Sequence, residues 1–383
     1  MTRIPLSSPD IGPEEIAAVL EVLKSPRLSW GPRLVEFETA FARYVGAAFA
    51  VGVSSGTAAL HLSLLAGGIG EGDLVVTTPL SFVSSANAML YVGARPVFLD
   101  VESSTGNLDP NRVVDCVREL RDRGRPVRAI LPVHLFGHPA SMDPLLEIAR
   151  EHDLLLIEDA CEALGSEYRG RRVGSFGHAS AFGFYPNKQL TTGEGGMVVT
   201  SDPEWAALFE SLRNQGRGVG PLESVSVHLG YNYRLNELSA ALGLIQLQRL
   251  DELLEKRAQV AAWYRQRLEG VPGIGHPAVL PETTRMSWFL FRVILSGPVE
   301  RRRVELALAE RGIPSRGYFT PIHLQPYYRD RFGFKEGAFP VAERLGGTPL
   351  ALPFSSIMTE EQVETVCREL RRVMENESLH IRG

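Results

Sequence analysis

From residue 49 to residue 158 the chain alternates short apolar runs with segments of helical periodicity. Phe49 to Val53 reads as a strand and Gly56 to Ala66 as a helix. The pairs Leu74–Thr78 and Ser81–Tyr91, Pro96–Val101 and Pro110–Arg123, and Val127–His134 and Met142–His152 repeat that order, and Leu154–Glu158 closes it. This rhythm predicts βαβ units and a mostly parallel sheet with helices on both faces. The strands are almost continuously apolar, as in Leu154-Leu155-Leu156-Ile157, which suits strands buried on both sides.

The rhythm then changes. Ser166 to Val173 predicts a hairpin turning at Gly170, and Ala179–Tyr185 and Met197–Thr200 predict two strands around a glycine-rich turn. Asn236 to Leu268 reads as one long helix, with Leu238, Leu242, Ile245, Leu250, Leu253 and Leu254 along one stripe. Beyond it, a strand over Ser287–Leu295 and helices over Val299–Arg311 and Thr359–Met374 predict a smaller α+β unit. The division is a large domain over 1–250 and a small C-terminal domain over 251–383.

Composition narrows the chemistry. The 383 residues carry 40 Lys+Arg against 45 Asp+Glu, and only Lys24, Lys188, Lys256 and Lys335 are lysines. A mildly acidic chain with scattered arginines gives no electrostatic footprint for nucleic acid. No apolar run approaches a membrane span, the start lacks a secretory h-region, and three distant cysteines form neither a disulfide framework nor a metal motif. A cytoplasmic protein is expected.

In an open parallel sheet, ligands bind beyond the carboxyl ends of the strands. Three features fall there. Ser54-Ser55-Gly56-Thr57 ends a strand and starts a helix, which suits either a phosphate on free amides or a plain N-cap. Glu158-Asp159 puts two acids at the end of a buried strand, a costly placement without partners. Asp159 could face a cationic ring nitrogen, or a metal aided by Glu162 and His134. Lys188 follows the aromatic stretch Phe182, Phe184, Tyr185, where a desolvated amine would attack carbonyl carbon. Pyridoxal phosphate needs this combination: a Schiff-base lysine, an acid at the ring nitrogen and a phosphate cradle. No metal is expected.

With these motifs the chain resembles the DegT/DnrJ/StrS family of pyridoxal-phosphate sugar aminotransferases, from about Ile4 to Met374. The carriers are Gly56-Thr57-Ala58-Ala59-Leu60, Ile157-Glu158-Asp159-Ala160, Gly174-Ser175-Phe176-Gly177, Asn187-Lys188 through Gly195-Gly196, and Gly230-Tyr231-Asn232-Tyr233-Arg234. Ile157 to Tyr168 is most similar to the perosamine-synthase branch. The resemblance implies the aspartate-aminotransferase-like fold type I. It implies Lys188 as the Schiff-base lysine, Asp159 as the acid at the ring nitrogen, Gly56 and Thr57 at the phosphate, and Phe82 stacked on the ring. It also implies Asn232 reaching the phosphate of a second subunit in a homodimer with shared sites. Arg234, Tyr318 and His323 would approach the substrate.

Two departures stand out. Gly183 occupies the place of the family's phosphate-binding serine, so Ser180 or backbone amides would compensate. Glu162 replaces the common Gln or His and places a carboxylate beside the cofactor. The implied activity is amino transfer, with glutamate as donor, to a nucleotide-linked 4-keto-6-deoxy sugar. The alternatives are amination of a keto-cyclitol or other small ketone, and a non-catalytic regulator that binds the cofactor or a sugar nucleotide.

Overall fold

The computed structural model describes residues 4–218, 220–296 and 300–380. Two helices, α1 (Pro13–Leu23) and α2 (Pro32–Val45), open the chain. There follow β1 (Phe49–Val53), α3 (Gly56–Ala66), β2 (Leu74–Thr77), α4 (Ser84–Tyr91), β3 (Arg95–Phe98), α5 (Pro110–Asp122), β4 (Val127–Ile130), α6 (Met142–Glu151) and β5 (Leu155–Asp159). A hairpin of β6 (Glu167–Tyr168) and β7 (Arg171–Arg172) leads to β8 (Ala179–Gly183), β9 (Gly196–Thr200) and α7 (Pro203–Arg213). Helices α8 (Glu237–Gln248) and α9 (Leu250–Leu268) follow. The last part holds β10 (Ile274–Gly275), β11 (Thr283–Arg285), β12 (Phe291–Leu295), α10 (Arg301–Glu310), α11 (Pro326–Phe332), α12 (Pro340–Gly347), β13 (Pro349–Leu352) and α13 (Glu360–His380).

Among the described residues, seven strands form one sheet in the order β1-β9-β8-β5-β4-β2-β3. Every pairing is parallel except those of β9 with β1 and β8. Side chains alternate across a strand, and here they divide two cores. Val75, Ile157, Ala181 and Val198 face a cluster with α3, α4 and α7. Their neighbours Val76, Leu156, Phe182 and Val199 face Phe37 and Leu244 of α2 and α8, or Val113 and Leu145 of α5 and α6. The architecture is the α/β one the alternation predicts, with helices on both faces.

A separate core joins the second half of α9 (Val260, Tyr264, Leu268) to β12, β13 and α13. Ile4 packs into that same core, so the chain's start crosses over to its end. Among the described residues no helix is long and apolar enough to cross a membrane.

Several boundaries differ from the sequence pattern. The long helix is two helices that break at Arg249, whose guanidinium is tied to Asp10, Glu15 and Glu252. The apolar spacing continues through the break because α8 and the start of α9 cover the same core. Helix α4 begins at Ser84 rather than Ser81, since Ser81 and Phe82 form the turn that borders the site. Strand β12 begins at Phe291, because Trp288 has a left-handed φ of 50° and Phe289 N–H bonds to Phe136 O instead of a strand. The expected start of the helix after it, Val299, lies outside the described residues.

Candidate active site

Strand β1 is antiparallel to β9, and β9 to β8, so β1, β2, β4, β5 and β8 all end at one rim. A cavity of about 480 Å³ opens there, lined by Gly56, Thr57, Ser81, Phe82, Asp159, Glu162, Gly183, Lys188 and Tyr318, among others. The sequence places those residues up to 262 positions apart, and the crossovers of the parallel sheet bring them to one wall.

The first part of the wall is the start of α3. Ser55 caps the helix, its Oγ accepting from Ala58 N–H at 3.1 Å. The amides of Gly56 and Thr57 belong to the first turn, which has no helical acceptors for them. Added to the helix dipole, they form an anion site. A Cβ on Gly56 would lie 2.7 Å from Cys161 Sγ and 3.2 Å from Gly183 Cα, so only glycine leaves this cradle open. Burial pushes the Cys161 thiol well up, and the charge of Asp159 adds to that.

The acid comes next. Asp159 ends β5 and is 4% exposed. Its Oδ2 accepts from Ser85 Oγ at 2.7 Å and its Oδ1 from Cys161 N–H at 3.2 Å. Glu158, one residue back, points to the other side of the strand, away from the cavity. There its carboxylate accepts His134 Nε2 at 3.0 Å, the amides of Gly174, Phe176 and Gly177, and Ser180 Oγ, each of these four at 2.8 Å. The two acids at one strand end are thus separated by the pleat and serve different purposes.

Lys188 sits on the loop from β8 to β9. Phe182 and Phe184 flank Gly183 and are buried against Phe41 and Phe37, with ring centroids 5.1 Å and 5.6 Å apart. Such pairs add roughly 0.5–1.5 kcal/mol each beyond area burial. The loop is closed at its base by Phe184 N–H to Gly195 O at 2.9 Å, and Lys188 N–H donates to Tyr185 O at 2.9 Å. Lys188 Nζ lies 3.5 Å from Glu162 Oε1 and 3.9 Å from the centre of the Phe289 ring. Glu162 Oε2 accepts Phe136 N–H at 3.0 Å. Burial raises the Glu162 carboxyl above its ordinary range, with the lysine charge opposing the shift.

Not every expected residue reaches this wall. Ser180 faces Glu158, so its hydroxyl is already committed and does not compensate for Gly183. His323 is fully buried elsewhere, its Nε2 2.9 Å from Glu343 Oε1 and its ring edge-on to Phe339; its position is that of a packed structural group rather than of a substrate contact. Asn232 is exposed and its backbone bridges Asn214, while Arg234 Nη1 donates to Asn214 Oδ1 at 3.1 Å; neither lines the cavity of its own chain.

Other residues carry no motif and emerge only from the fold. Arg257 of α9 is buried and donates to the carbonyls of Trp288 at 2.9 Å, Phe289 at 2.8 Å and Asn187 at 3.4 Å. Burial lowers its guanidinium to about 10. It thereby fixes Phe289 under Lys188 from the second core. Phe319, 6.1 Å from Phe82 between ring centres, completes the aromatic side.

An anion cradle, a buried carboxylate and a primary amine thus meet around one cavity at the rim of an α/β sheet. The chain belongs to the DegT/DnrJ/EryC1/StrS aminotransferase family, whose model matches residues 9–371, and it is an aminotransferase of fold type I. It is 38% identical over 380 residues to the GDP-perosamine synthase of Caulobacter vibrioides, covering 98% of this chain and 99% of that one. Among solved structures it is similar to S. venezuelae DesV in complex with a ketimine intermediate, at 39% identity and a TM-score of 0.86, covering 94% of each chain. It also matches the PLP form of the putative sugar aminotransferase Spr1654 from Streptococcus pneumoniae, at 27% identity and a TM-score of 0.91, over 98% and 99% of the two chains.

Proposed function

We propose that this aminotransferase moves an amino group from glutamate to the keto carbon of a nucleotide-linked 4-keto-6-deoxy sugar, using pyridoxal phosphate. The observation that carries the reading is the convergence of the Gly56–Thr57 cradle, Asp159 and Lys188 on one cavity. The donor set fits the cofactor. The first-turn amides of α3 suit its phosphate, Asp159 suits the ring nitrogen, Phe82 offers a flat face and Lys188 a primary amine. When bound, the cofactor supplies an electron sink for negative charge on the carbon beside nitrogen.

The protein's own groups do the rest. Asp159 would hold a proton on the ring nitrogen by its negative charge. Lys188 would hold the cofactor through Nζ, and its amine is placed to carry a proton to and from the reacting carbon. Glu162 faces that same nitrogen and is placed to share its proton. Phe289 bounds the amine from the side of the second core and excludes water. Tyr318 and Phe319 offer aromatic faces to the sugar nucleotide.

A second copy of the chain completes the site in this reading. Asn232 is exposed and would reach the partner's phosphate, and Leu222, Val225, Val227 and Leu229 before it are exposed apolar side chains that water disfavours. The three cysteines are unpaired, which fits a reducing cytoplasm.

The test is a screen of keto sugar nucleotides and free keto-cyclitols with glutamate, read by mass spectrometry. Aminated sugar nucleotide is the expected product. Amination of the free ketones alone, with no affinity for nucleotide, would replace this reading with the small-ketone one. Binding of the cofactor without any amine transfer would favour a regulator.

The cradle gives a paired prediction. A Cβ at Gly183 meets nothing closer than 3.7 Å, so Gly183→Ser fits and adds a hydroxyl beside the phosphate position. A hydrogen bond to a charged group contributes roughly 1.5–3 kcal/mol, so cofactor affinity should rise about tenfold or more. Gly56→Ala should weaken it, because the added carbon collides with Cys161 and Gly183. Absorbance titration of the cofactor-free protein with pyridoxal phosphate reads both.

A further inference from the structure

We propose that Ser85, relayed by Ser81, is the positioning residue that fixes the orientation of Asp159 toward the ring nitrogen. This rests on the reading of Asp159 given above and adds a residue to it.

Ser85 Oγ is 2.7 Å from Asp159 Oδ2 and 3.2 Å from Phe82 O, and Ser81 Oγ is 2.9 Å from Ser85 Oγ. A hydroxyl has one proton to give, and an ionised carboxylate has none. The short contact therefore runs from Ser85 to Asp159, and Ser85 then accepts the proton of Ser81. Ser85 is fully buried and Ser81 is 2% exposed, so water does not substitute for either bond. Hydrogen bonds in such a chain polarise one another.

The carboxylate needs this second holder. Its Oδ1 accepts the Cys161 amide at 3.2 Å, and the Cys161 thiol also bonds the carboxylate, but both come from one residue of its own turn. The terminal torsion of aspartate is broad, so holders on that one turn leave it room to swing. Ser85 supplies a donor on the opposite oxygen from a different element, α4. Reacting constellations need angular placement within roughly 10–20°, and two donors from two elements provide it.

The same turn also carries Phe82, which lies on the cavity wall next to Ser81. Ring stacking and acid orientation are thus set by one piece of backbone, Ser81–Ser85. Among the described residues, the titratable groups that feel the charge of Asp159 are Glu162 at the cavity and the Cys161 thiol, and Lys188 faces Glu162. What the Ser81–Ser85 turn brings to the acid is hydroxyl groups, which orient it without adding a charge.

The experiment uses the full chain stripped of cofactor and titrated with pyridoxal phosphate. Two values are read: the dissociation constant, and the pH at which the visible band of the bound cofactor changes. Ser85→Ala should weaken binding on the order of tenfold, as loss of a bond to a charged group does, and should move that pH. Ser81→Ala should act in the same direction and less strongly, and it keeps the test open if Ser85→Ala does not fold. Asp159→Asn is the reference. If Asp159→Asn changes both values while the folded serine variants change neither, the relay is wrong and the cofactor reading stands. If Asp159→Asn also changes neither, the placement of Asp159 at the ring nitrogen falls.

Discussion

Lys188→Ala is expected to abolish retention of the cofactor through a covalent bond and to stop amino transfer. The parent protein, loaded with pyridoxal phosphate and passed through a desalting column, should keep an absorbance band near about 420 nm. The variant should lose it. Turnover should fall by at least about 10²–10⁴-fold, the range for losing a positioned general acid/base, before the lost attachment is counted. Lys188→Arg should not rescue, because a guanidinium stays protonated and neither attacks a carbonyl nor returns a proton. Structural damage is not the expected cause. Lys188 Nζ contacts Glu162 and the Phe289 ring, and the loop that carries it is closed by backbone bonds that alanine keeps. Compared without cofactor, which would itself stabilise the parent, the two proteins should melt at nearly the same temperature. A Lys188→Ala variant that transaminates at the parental rate would remove the lysine from the mechanism.

Two of the other three lysines show how far composition alone reaches. Lys24 and Lys256 pair with Glu21, and with Asp10 and Glu252, in exposed or half-exposed positions, where an arginine would serve as well. Strands β1 to β5 and their helices were legible because a doubly covered sheet leaves apolar runs and periodic helices in strict order. The cavity was legible in outline for the same reason, since strand ends in a parallel sheet share one rim. What was not legible depends on contacts between distant segments. Ser180 is three residues from the expected phosphate position at Gly183, and that odd offset on the pleated strand turns it to Glu158. Only the family resemblance places His323 near the substrate, yet it packs edge-on to Phe339. Phe289 meets Lys188 where Arg257 of α9 ties the carbonyls of Phe289 and Asn187 together, a contact between segments far apart in the chain. Strand alternation by itself separates Glu158 from Asp159, but nothing in the pattern shows the donors that meet Glu158 on its side.

That separation leads to a large expected effect on stability. Glu158→Ala should leave no stably folded protein. Among the described residues, its carboxylate accepts five donors: His134 Nε2, three backbone amides of the Gly174–Gly177 turn, and Ser180 Oγ. All become buried and unsatisfied at roughly 1–3 kcal/mol each, against a total stability of about 5–15 kcal/mol. Glu158→Gln is the milder variant. Its oxygen can keep the donors on one side, but its NH₂ then faces the Gly174 amide. It also faces His134, whose Nδ1 accepts from Ala140 N–H and whose proton therefore sits on Nε2. A loss of about 3–5 kcal/mol, as for breaking a buried charged network, is expected from urea unfolding. Acid should act on the same group. Burial alone would raise the Glu158 carboxyl, but the bonds from His134, Gly174 and Gly177 outweigh it and the net shift is downward from 4.5. A group depressed in the folded state adds stability above its unfolded value and loses it as pH falls through the folded one. The parent should therefore lose stability steeply below about pH 4.5, and Glu158→Gln should show a flatter acid limb. Equal slopes in the two proteins would mean that the carboxylate is not what holds this turn to the strand beneath the active site.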